Sequence, residues 1–151
     1  MSSSRSRFTL IELILVVAIV AVIALITYVA IHPRQELSAA RDASRKSDIN
    51  IILSAVLAYT LDNKGNLPPD IPTGAPKPIC QSDVPPETCA STLDGVNLTM
   101  LTDGYLKAIP KDPSLTLTGT GTRYTIMQDI RGRIVVAAPG AERVEKIEVM
   151  R

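Results

Sequence analysis

The chain has 151 residues, room for one membrane anchor and one small domain but not for two full globular domains. Its formal net charge of +1 points to neither a nucleic acid nor an acidic partner surface. Hydrophobic residues make up 46% of it while aromatics are 3% and Trp is absent, so aliphatic side chains carry the apolar content and a base-stacking platform is excluded.

A large share of those aliphatic residues lies between Phe8 and Ile31. What remains is more polar, so its core must be small and would gain from a covalent brace. From Leu13 to Ile31 the chain reads LILVVAIVAVIALITYVAI, without a charge and with only Thr27 and Tyr28 as polar breaks. At about 1.5 Å per residue this run spans roughly 28 Å, close to the depth of a bilayer core. Its many β-branched residues lower helix propensity slightly in water, but lipid leaves backbone groups only each other as partners and so enforces a helix. A cleaved secretory signal has a shorter apolar core followed by a small-x-small site. The passage from Thr27 to Pro33 offers a poor one, so the helix is expected to be retained.

Glu12 stands at the N-terminal edge of this run with apolar neighbours on both sides. A carboxylate there costs a few kcal/mol unless it meets a cation or a proton. Two readings follow from the residues alone. A cut between Arg7 and Phe8 would create a free α-amine one helical turn earlier; otherwise Glu12 lies among the headgroups beside Arg5 and Arg7.

The segment Arg7-Phe8-Thr9-Leu10-Ile11-Glu12-Leu13, leading into an aliphatic helix, resembles the prepilin signal of type IV pilins and type II secretion pseudopilins. The resemblance implies that a membrane-bound prepilin peptidase cuts between Arg7 and Phe8 and methylates the new amine of Phe8. It implies that Glu12 pairs with the N-terminus of a neighbouring subunit during assembly. It further implies a filament of like subunits raised from the inner membrane by pilus or type II secretion machinery, with no catalytic role, no cofactor and no specific nucleic acid. Two positions depart from the family pattern. Arg7 stands where the family has Gly, and Val29 stands where many members have Pro, the first Pro here being Pro33. The residues therefore also allow an uncleaved, membrane-anchored binding domain outside the cytoplasm.

Beyond Pro33, residues 34–63 read as an amphipathic helix. Leu37, Ala40, Ile49, Ile52, Leu53, Val56, Leu57 and Thr60 recur at spacings of three and four. Arg41, Asp42, Arg45, Lys46 and Asp48 between them predict a solvated or subunit-facing polar face, with Asp42 and Lys46 a favourable pair one turn apart. Asp62-Asn63-Lys64-Gly65-Asn66-Leu67-Pro68 ends the helix, Gly65 suiting a left-handed cap. This helix end, with Tyr59 before it, also resembles that of the long pilin helix.

Residues 68–92 hold seven prolines and both cysteines, and predict an irregular loop in place of a helix or central strand. Zinc would need two more ligands than Cys80 and Cys89, and the only His is His32 at the membrane edge. A structural Cys80–Cys89 disulfide is the expectation, worth about 2–3 kcal/mol, and it places the domain outside the cytoplasm. Leu98, Leu101, Tyr105 and Leu106 then suggest a short helix interrupted at Gly104 and ended before Pro110. The passage Tyr105-Leu106-Lys107 to Ile109-Pro110-Lys111-Asp112-Pro113 is similar to the one before the sheet in major pseudopilins. Asn97-Leu98-Thr99 fits a glycosylation sequon, a pattern common by chance. Asp103, Asp112 and Asp129 lie near sheet loops where some pseudopilins bind calcium, but their spacing is not diagnostic and they read better as solvated loop carboxylates.

Strands are predicted at 115–118, 123–128, 133–138 and 146–150, with Tyr124, Ile126, Ile134, Val136, Ile147 and Val149 facing inward and Glu148 outward. The expected fold class is α+β, a long N-terminal helix packed on a small antiparallel sheet of three to four strands. The expected organisation is a leader (1–7), a transmembrane and assembly helix (8–32), an amphipathic half (33–66), a Pro-rich disulfide loop with a short helix (67–113) and the sheet (114–151).

Overall fold

A computed structural model describes residues 9–31, 33–114 and 119–151. The chain divides into two compact units, one reaching to Leu37 and the other Ser38–Arg151.

In the first unit, helix α1 runs Leu10–Ile31. Its stretch Leu10–Tyr28 has a mean hydropathy of 3.1 and none of it is buried within the chain. One helix is thus long and apolar enough to cross a membrane. The Thr27 hydroxyl donates to the carbonyl of Ile23 at 2.8 Å, so its polarity is spent inside the helix and need not be met by water.

Helix α2, Pro33–Asp62, opens on a proline at its first position, where the missing N–H costs nothing. Within the second unit it buries Arg45, Ile49, Ile52, Leu53, Ala55 and Val56 at helical spacing. Its end is as the sequence reads: Lys64 and Gly65 take φ of 57° and 92°, and the Gly65 N–H returns to the Thr60 carbonyl at 2.8 Å.

Four strands form an antiparallel sheet in the order β1-β2-β3-β4, with β1 Lys77–Cys80, β2 Gly121–Gln128, β3 Ile134–Ala138 and β4 Ile147–Met150. The last three match the expected strands to within two residues. The first is a correction. The strand expected at 115–118 lies outside the described residues, and the sheet instead recruits Lys77–Cys80 from the proline-rich segment. Pro78 is tolerated because β1 is an edge strand: it donates nothing there, and its carbonyl accepts the Val96 N–H at 2.8 Å. The same segment also holds a helix, α3 Pro86–Leu93, so it is not the continuous irregular loop that its composition suggests. Leu98 and Leu101 are buried, and the short helix expected around them is a 3-10 helix, Thr99–Asp103, that ends at Gly104.

Tyr124, Ile126, Ile134 and Val136 are buried, whereas Ile147 and Val149 are half-buried and Glu148 faces out. One apolar cluster joins the buried residues of α2 (Ile49, Ile52, Leu53, Val56) with Ile79, Leu101, Tyr124, Ile126 and Val136. The Tyr124 hydroxyl donates to the Asp48 carboxylate of α2 at 2.7 Å. Burial and that hydrogen bond both raise the tyrosine's pKa.

Candidate functional site

Arg7 and Phe8, the expected cleavage pair, and His32 lie outside the described residues. Glu12 is the third residue of α1, and all the large apolar side chains around it are exposed, Leu10 at 77% and Leu13 at 60%. Thr9 fixes where the helix starts. Its Oγ1 accepts the Glu12 N–H at 3.3 Å and its carbonyl accepts the Leu13 N–H at 3.2 Å. Thr9 and Glu12 thus stand at the N-cap and N3 positions of a capping-box pattern, T-x-x-E. The T-x-x-E spacing carries this local role in the sequence, beside the charge of Glu12 on which the sequence reading rests. A carboxylate in the first turn also lies at the positive end of the helix dipole.

Cys80 and Cys89 form a disulfide that ties the end of β1 to α3, with Cα atoms 5.9 Å apart. Gly95 lies against it. A Cβ at that position would stand 2.7 Å from the Cys80 sulfur and 2.9 Å from the Pro78 carbonyl, so only glycine allows the chain past the bridge. Asn97 is buried, and its Oδ1 accepts both the N–H and the hydroxyl of Thr99. The sequon is therefore folded into a turn of its own.

The largest departure from the sequence reading lies on α2. Arg45, expected on a solvated face, is 1% exposed and heads the fully buried side chains in size. All five of its N–H groups are met. Nε donates to Asp112 Oδ2 at 2.8 Å, and Nη2 to Asp112 Oδ1 at 3.1 Å and Ser114 Oγ at 3.0 Å. Nη1 donates to Asp42 at 2.7 Å and Glu142 at 2.9 Å. Asp42 pairs with Arg45 and with backbone N–H groups of residues 142 and 143, not with Lys46 as its spacing suggested. Asp112 is likewise not a solvated loop carboxylate, since its side chain is fully buried against Arg45. Asp129 closes the β2–β3 turn, accepting the N–H groups of Arg131 and Arg133 at 2.8 Å each. Among the described residues no group of three or more His, Cys, Asp or Glu could hold a metal ion.

Burial acts to raise the Asp112 carboxyl, but the Arg45 guanidinium and the Ser114 hydrogen bonds outweigh it and leave it at about 2. Glu142 is held at about 2 as well, first by Arg41 and then by Arg45. A carboxyl whose folded pKa is depressed adds stability above its unfolded pKa and loses it as pH falls through the folded value. Denaturant midpoints are therefore expected to be flat from neutrality to about pH 5 and to fall between there and about pH 2. In Asp112→Asn the stability at pH 7 should already be lower, and this acid limb shallower. An equally steep limb in that variant would show that other carboxyls carry it.

No protein-family model, curated protein or solved structure matches the chain.

Proposed function

We propose that the protein is a structural subunit of a type IV pilus or a type II secretion pseudopilus. The observation that carries this reading is the apolar stretch Leu10–Tyr28, unburied within its own chain, with Glu12 in its first turn directly after Phe8-Thr9-Leu10-Ile11. An aliphatic helix with no covering partner within its chain needs lipid or the helices of other subunits, and a filament raised from a membrane supplies each in turn. Glu12 then meets the amine of a neighbouring Phe8, which compensates a carboxylate that lipid alone would not hold charged. In this reading the amphipathic half of the long helix packs on the sheet, which the shared apolar cluster supports. The disulfide-braced unit faces the periplasm or the cell exterior. The partners are other copies of the chain or related subunits, the inner membrane, the prepilin peptidase and the assembly machinery; the protein itself is not an enzyme.

The test is the mass of the chain recovered from cells with and without the prepilin peptidase. Loss of residues 1–7 only where the peptidase is present is the expected result. Glu12→Ala should still insert in the membrane, with filament incorporation reduced by about tenfold or more, the order expected for an uncompensated charge–charge contact of a few kcal/mol. Normal incorporation of that variant would remove Glu12 from its assigned role. Arg7 in place of the family's Gly favours a second reading, an uncleaved anchored binding domain. A full-length chain in both strains would select it.

A further inference from the structure

We propose that residues 139–151 form a strap that opens as a unit of its own, latched to α2 at Glu142. No described residue after Ala138 is buried. β4 offers the core only the half-buried Ile147 and Val149, whereas all five residues of β3 beside it in the sheet are buried. Attachment of the strap is therefore mainly polar, at two ends. At the far end, Ile134 and Arg151 exchange backbone hydrogen bonds of 2.8 and 3.1 Å, which continue the β3–β4 ladder. At the near end, the Asp42 carboxylate accepts the N–H groups of Glu142 and Arg143 at 3.0 and 2.8 Å. Glu142 in turn accepts from Arg41 Nε at 2.7 Å and Arg45 Nη1 at 2.9 Å, while its side chain stays 30% exposed.

The acceptors around Arg45 decide that the strap can leave alone. Four of its five hydrogen bonds go to Asp42, Asp112 and Ser114, none of which lies in the strap. Opening removes one acceptor, at the half-exposed side where water can replace it, and leaves no orphaned charge. Segments with few buried apolar contacts and solvent-exposed hydrogen bonds are those that open below the global unfolding free energy. The opened state leaves the outer edge of β3 unpaired, a row of backbone groups able to take a strand from another chain. This inference holds whether or not the protein enters a filament.

The test is native-state amide hydrogen exchange on the full chain in detergent micelles at increasing low denaturant. In the wild type, the Arg143 and Arg151 amides should exchange together, faster than Tyr124 and Ile126 of β2, with a denaturant slope well below that of β2. In Glu142→Ala the strap amides should speed up by about tenfold or more, and those of β2 by no more than that factor, whereas Ile126→Val, at a buried position of β2, should speed up β2 and leave the strap amides at their wild-type rate. Equal slopes for strap and β2 in the wild type would overturn the proposal without any variant. So would strap amides that speed up together with β2 in Ile126→Val, or that do not speed up in Glu142→Ala.

Discussion

Arg45→Ala is expected to cost the Ser38–Arg151 unit about 3–5 kcal/mol, because it leaves the Asp112 carboxylate buried without its cation. Small domains hold only about 5–15 kcal/mol in total, so the variant should be unfolded or nearly so at 37 °C. Asp112 keeps its two bonds to Ser114, but these neutral donors do not offset a buried charge. Arg45→Lys should recover little of the loss, since one ammonium cannot span acceptors that a planar five-donor fork reaches on three sides. A double variant, Arg45→Met with Asp112→Asn, removes the charge along with its partner and is expected to regain a good part of the stability. Chemical unfolding of the full chain in detergent, followed by circular dichroism, measures all three against the wild type. A cost below about 1 kcal/mol for Arg45→Ala would mean that the cluster is worth no more than a surface ion pair.

The second large effect belongs to the disulfide. Replacing both Cys80 and Cys89 by Ala should lower stability by about 2–3 kcal/mol, the loop-closure entropy of a short bridge. The loss should be visible as structure too. Helix α3 has only eight residues, far below the length at which a helix stands alone, and the bridge joins it to β1. Far-ultraviolet circular dichroism of the double variant is expected to show the loss of about two helical turns before the sheet unfolds. Both sulfurs are buried, at 1% exposure, so a mild reductant should leave the native protein unchanged and act only once denaturant opens it. Equal stability of wild type and double variant would show that the bridge constrains nothing in the unfolded chain.

The contrast between these two features explains what the sequence could and could not tell. Cys80 and Cys89 lie nine apart in a chain with no other cysteine, and the pairing was legible at once. The apolar positions of α2, the alternation of β2 and β4 and the apolar run of β3 were legible because these patterns are local. Arg45 was not, since its acceptors at 112, 114 and 142 are remote in sequence, and a charge in an amphipathic helix reads by default as outward. β1 was hidden by prolines that an edge strand tolerates. The start of α3 had a local signal, Pro86 followed by Glu87 in the first turn, but the density of prolines around it masked that signal. Asp112 was judged by its place in a loop, and loop position says nothing about which way a side chain turns.

The concentration of buried residues between Arg45 and Ala138 has a bearing on biogenesis. A chain synthesised N-terminus first presents α2, the disulfide loop and β1 to β3 before residues 139–151. The apolar core can therefore close, and Arg45 can find Asp112, before residues after 138 join them. Strand β4 then adds onto a unit already shaped to receive it, so sequence changes in it burden a late step of folding and spare the closure of the core.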